Sequence, residues 1–176
     1  MKILKRISAL ILFTLFFASA HAQTKTEDII KNWERPKSYT KEYLDAMPDA
    51  SYSLKPTPEM RSFADQMLHL SDTNYAFVSA ATGEKSPAAM GGLEKGTNKT
   101  KAIVIKETLV SYDFAIAGIK KLTAAQLPEK IKLFGQFDLT KEQVLEKAFE
   151  HQTHQRGQST VYLRLAKVTP PAEKLF

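Results

Sequence analysis

The last third of the chain carries the longest helical pattern in the sequence, and it limits the fold more than any other feature. Thr140-Lys141-Glu142-Gln143 fits a capping box, in which the Thr hydroxyl and the Gln amide each satisfy a backbone N–H of the first turn. The pattern from there predicts a helix to about Val168, where Thr169-Pro170-Pro171 stops it.

Three more segments of similar length precede it. The first runs from about Thr26 to Ala46, with Pro36 expected to break or kink it near Arg35, and with Tyr39, Tyr43, Leu44 and Met47 at helical spacing after the proline. The second is expected to start at Thr57-Pro58-Glu59 (a cap, a first-turn proline and an acid at the positive end of the dipole) and to continue to about Ala81, before Gly83. A connection containing Pro87, Gly91, Gly92 and Gly96 follows, with no phosphate-loop pattern. The third helix spans roughly Thr100 to Leu122 and is apolar through Ile103, Val104, Leu109, Val110, Phe114, Ile116 and Ile119. Four helices of this length joined by loops predict an all-α four-helix bundle. A sandwich or barrel is disfavoured, because Val, Ile and Thr never alternate with polar residues over a long run. At 176 residues the chain suits one domain.

The first 22 residues read as a targeting segment, leaving 23–176 as the helical domain. Lys2, Lys5 and Arg6 form a basic start, Ile7 to Ala18 an apolar run, and Ala20-His21-Ala22 a small-residue cleavage site. The run is shorter than the roughly 20 residues a bilayer span needs, so no stable membrane insertion is expected. No cysteine follows it, which argues against a lipoprotein. The expected destination is the periplasm or the exterior. Removing three basic residues lowers the formal charge from +6 to +3. The remainder has no dense Lys/Arg cluster interleaved with aromatics, so nucleic acid is not an expected partner. The chain has no cysteine, which excludes disulfides and protein thiolate chemistry and leaves stability to the core.

With His21 in the targeting segment, three histidines remain: His69, His151 and His154. At about 100° per residue, Val144, Ala148, His151, Gln155, Gln158, Ser159 and Tyr162 fall on one stripe of the last helix, which the flanking leucines turn inward. His154 lies about 60° round from His151. On the second helix His69 shares a face with Ser62, Asp65, Gln66, Thr73, Ala76 and Ala80, nearly opposite Met60, Ala64, Met67, Leu68, Tyr75 and Val78. That face lines a cleft or meets water; periodicity alone leaves both open. A buried histidine with hydrogen-bond partners is common without any metal, and His154 by itself reads as a surface residue.

The stretch HQTHQRGQSTVYLRLAKVTPP, from His151 to Pro171, resembles the last helix of the DinB/YfiT-like family, and PTPEMRSFADQMLHLSDTNYAFV, from Pro56 to Val78, resembles its second helix. The resemblance implies a four-helix bundle that holds a divalent metal with three histidines. Carried over, His69 and His151 match two ligands, while the third position is Gln155, a poorer donor than imidazole for zinc or nickel. His154 is the neighbouring alternative. The implied cofactor is zinc, nickel or manganese.

Two functions follow. One is a metal-dependent hydrolase or transferase acting on a small molecule, with no catalytic residue identified and only Asp65 or Asp72 as candidate bases. The other is a non-catalytic envelope binding or interaction bundle with a degenerate metal site. A homodimer is compatible with either. Intact mass of the protein from a periplasmic fraction is expected to place the mature N-terminus at Gln23; full-length protein held in the membrane would reverse that assignment.

Overall fold

A computed structural model describes residues 26–175. The targeting segment assigned to residues 1–22 lies outside the described residues. Helix α1 covers residues 26–46 and continues through Pro36, so the expected break there is absent. An interior proline costs about 3 kcal/mol. Trp33 before it and Tyr39, Tyr43 and Leu44 after it are all buried. Each such side chain returns about 1.5–3 kcal/mol on burial, enough to hold both halves in place.

Helix α2 is Phe63–Thr82, beginning at Phe63 rather than at Pro58. Its capping box is Ser62 with Asp65: the Asp65 N–H donates to Ser62 Oγ (3.1 Å) and the Ser62 N–H to Asp65 Oδ2 (3.2 Å). The N–H groups of Phe63 and Ala64 donate back to the carbonyls of Leu54 and Tyr52, so most first-turn donors have partners. Thr57 only opens a turn, accepting from Met60 N–H. The helix ends at Gly83, as expected, in the left-handed conformation (φ 78°) that glycine adopts without penalty.

The connection after α2 contains a one-turn helix, α3, at Gly92–Lys95, where only a loop was expected. Helix α4 is Lys101–Lys120 with Thr100 at its N-cap. Its Gly118 lies against α2; a Cβ there would come within 3.2 Å of Val78 Cγ1 and 3.3 Å of Thr82 Cγ2. Helix α5 is Lys141–Leu165. Thr140 and Gln143 form the expected box, with Gln143 N–H to Thr140 Oγ1 at 3.2 Å and Thr140 N–H to Gln143 Oε1 at 2.9 Å. It stops short of Val168 because Lys167 turns left-handed (φ 62°).

Strands were not anticipated, yet β1 (Lys130–Leu133) and β2 (Phe137–Thr140) form an antiparallel hairpin before α5, with Lys130 opposite Thr140 and Leu133 opposite Phe137. Only Leu133 is buried, so the hairpin is an appendage to an all-α fold. Its three-residue turn holds Phe134 and Gly135 at positive φ. Among the described residues no helix is long and apolar enough to cross a membrane.

Helix α2 is the central element, packed against both α4 and α5. One apolar cluster joins Trp33, Leu70, Val78, Tyr112, Ile119, Leu133 and Val144; a second joins Tyr43, Leu44, Phe63, Met67, Val104, Tyr162 and Leu163. Between them on α1, α4 and α5 lie buried polar residues, among them Thr40, Thr108, Ser111, Gln152, Arg156 and Ser159. Because the helix begins at Ser62, Ser62→Ala is expected to lower stability by about 1 kcal/mol, with Thr57→Ala nearly neutral. Urea unfolding followed by circular dichroism compares the two.

Candidate functional site

Helices α2 and α5 bring His69 and His151 together, with ring centroids 5.3 Å apart and planes inclined at 60°. Gln155, one turn beyond His151, places its Nε2 3.1 Å from His151 Nε2. Its Oε1 accepts from Gln66 Nε2, which also donates to Gln158 Oε1 at 2.9 Å. The amides of Gln66 and Gln155 thus join the two helices beside the histidines. The His151 Nδ1 is buried and has no hydrogen-bond partner. Phe77 lies against the same ring at a centroid distance of 6.2 Å.

Burial is the main reason that the His151 pKa is pushed down to about 4, aided by the nearby His69, His154 and Arg61. His151 therefore stays neutral at ordinary pH, the form a metal requires. His154 is exposed, with its Nε2 2.7 Å from Gln158 Nε2.

Glu94, on α3, was not singled out from sequence. Its Oε2 lies 3.0 Å from His69 Nδ1, and Arg61 Nε donates to its Oε1 at 2.7 Å. Burial opposes ionisation of Glu94, but Arg61 and His69 override it and hold the pKa below the usual carboxylate value. Neither expected base is idle. Asp65 caps α2 and pairs with Lys99. Asp72 is buried and accepts the N–H groups of Leu93 (3.1 Å) and Glu94 (2.9 Å). A cleft of about 500 Å³ is lined by Glu59, Met60, Arg61, Gln66, Glu94, Gln158 and Tyr162, and so shares Gln66 and Glu94 with the polar contacts around the histidines.

The spacing of the two rings suits a shared ion. Imidazole nitrogens about 2.0–2.1 Å from one zinc at near-tetrahedral angles set ring centroids about 5 Å apart. Among the described residues, however, no three His, Asp or Glu side chains form a group able to hold a metal. Two imidazoles and the Gln155 amide are the donors at hand.

The model of the DinB family matches residues 22–175, and the chain belongs to that family. Its fold is similar to that of a DinB-like protein from Bacillus cereus, with a TM-score of 0.73 and 20% identity over 84% of this chain and 97% of that one. It is also similar to YjoA, a DinB-like protein of Bacillus subtilis, with a TM-score of 0.65 and 20% identity over 85% of this chain and 96% of that one. At this identity the likeness establishes the fold. No curated protein matches the chain.

The depressed His151 pKa has a consequence for folding. As pH falls from about 6.5, the unfolded chain takes up this proton before the folded one. Stability of the metal-free protein is therefore expected to decline from pH 6.5 towards 4 and to level off below, by on the order of 2 kcal/mol. Replacing His151 with Gln is expected to flatten that part of the profile, as read by thermal melts at successive pH values.

Proposed function

We propose that this DinB-family protein is an exported divalent-metal-binding bundle that acts on a small molecule. His69, His151 and the amide of Gln155 are the metal-holding residues. The observation that carries this reading is the pair of imidazoles, supplied by two different helices with ring centroids 5.3 Å apart. When bound, the ion supplies Lewis acidity and lowers the pKa of a coordinated water, which suits hydrolysis or group transfer. The cleft beside Glu94 and Gln66 gives a small substrate room to approach.

A second reading is a non-catalytic binding bundle in the envelope. It is favoured by the engagement of Asp65 and Asp72 in structural bonds, and by the amide at position 155, a weak donor for zinc or nickel.

Titration of chelator-stripped protein with zinc, nickel or manganese separates the two. One ion per chain is expected, with His69→Ala or His151→Ala abolishing binding. Gln155→His is expected to tighten it by about tenfold or more, equivalent to 1.4 kcal/mol, and His154→Ala to leave it unchanged. If His154→Ala abolishes binding and Gln155→His has no effect, His151 and His154 are the clamp. If no variant and no wild-type sample takes up metal, the binding-bundle reading replaces the enzyme reading.

A further inference from the structure

Helix α3 is only four residues long and cannot sustain itself, since a single turn forms too few bonds to offset its nucleation cost. It is held in place from α2. The carboxylate of Asp72, 4% exposed, uses one oxygen for the N–H of Leu93 and the other for the N–H of Glu94. This grip fixes the backbone of Glu94 opposite His69, three residues before Asp72 on the same helix. Arg61 then holds the Glu94 side chain from the other side, with Nε on Oε1 at 2.7 Å and Nη2 on Oε2 at 3.5 Å.

The ionised carboxylate accepts hydrogen bonds and cannot donate them. A Glu94 oxygen 3.0 Å from His69 Nδ1 therefore places the ring proton on Nδ1 and leaves the lone pair on Nε2. Metal-binding histidines are commonly oriented in this way, through the nitrogen that does not touch the ion. We propose that Glu94 is the positioning residue of His69, fixing its tautomer and ring direction so that Nε2 is the donor atom, with Asp72 and Arg61 as the clamps that hold Glu94 there. The role of Nε2 as a metal donor rests on the function proposed above; the tautomer does not.

Long-range proton–nitrogen correlation spectra of the metal-free mature chain, recorded above the titration range of imidazole, read the tautomer directly. The His69 signals are assigned by their loss in His69→Gln. Wild type is expected to carry the proton on Nδ1. Glu94→Gln has a single acceptor oxygen, which Arg61 Nε takes, so its NH2 group faces His69 Nδ1 and the proton is expected to move to Nε2, as it is in Glu94→Ala. A wild-type proton on Nε2, or an Nδ1 proton indifferent to Glu94→Ala, overturns the proposal. Should Glu94→Ala fail to fold, the wild-type and Glu94→Gln spectra decide, an Nε2 proton in wild type or an Nδ1 proton in Glu94→Gln overturning it.

The second arm is metal affinity. Zinc competition is expected to show a roughly 10- to 100-fold loss in both Glu94→Ala and Glu94→Gln. The cobalt absorption spectrum is expected to be the same in wild type and Glu94→Gln. A changed cobalt spectrum in Glu94→Gln would make Glu94 a direct ligand and overturn the positioning role. If wild type binds neither ion, the metal reading fails by itself, and the tautomer result still decides whether Glu94 sets the His69 ring.

Discussion

Arg156 is 6% exposed and is held by neutral groups: Gln152 Oε1 at 2.6 Å, Thr40 Oγ1 at 3.5 Å and the face of Tyr39 at 4.8 Å. A buried guanidinium is costly unless its donors are matched, so each of these partners is constrained in turn. Gln152 also accepts from the Tyr112 hydroxyl at 2.9 Å, and that hydroxyl lies 2.8 Å from Thr40 Oγ1. The network ties α1, α4 and α5 together between the two apolar clusters and fixes the rotation of α5 about its axis. With Gln152 and Arg156 committed to α1 and α4, the adjacent face that bears His151 and Gln155 is directed towards α2. The geometry of the histidine pair is thus a consequence of a polar layer that contains neither histidine.

The helices whose ends are marked by local chemistry were legible in the sequence. Thr140 with Gln143 and Gly83 act through bonds or dihedrals set within a few residues, and each stands where its residue type implied. The features that were missed depend on partners far along the chain. Thr57-Pro58-Glu59 has the composition of a helix start, but the segment from Tyr52 to Leu54 supplies the acceptors for Phe63 and Ala64, and the start moves to Ser62. Pro36 carries a breaking signal that buried aromatics on both sides outweigh. The hairpin is short, with Leu133 as its only buried residue, so its alternation was too brief to stand out.

The candidate site divides along the same line. His151 and Gln155 could be read from one inward stripe of α5. His69 was ambiguous because α2 packs on two sides, so residues opposite its main apolar stripe still meet a neighbour. Glu94 lies in a connection rich in glycine and proline, where no periodicity reports direction. Its place is set by Asp72, through backbone bonds that side-chain patterns do not reveal.

Electrostatics links these pieces. His69, His151 and Gln155, the donors of the proposed metal site, carry no negative charge, so a divalent ion among them would keep its full charge in a partly buried setting. Arg61 adds to that burden and is one of the groups that keep a proton off His151. A field that disfavours a proton there disfavours any cation. Glu94 opposes it twice, by neutralising Arg61 through a 2.7 Å bond and by placing its other oxygen beside His69. Family members with three imidazoles, as the sequence resemblance implies, have a stronger donor at the third position. In the proposed site of this chain the weaker Gln155 amide would leave more of the attraction for a cation to depend on Glu94, and hence on the one-turn helix that Asp72 holds in place.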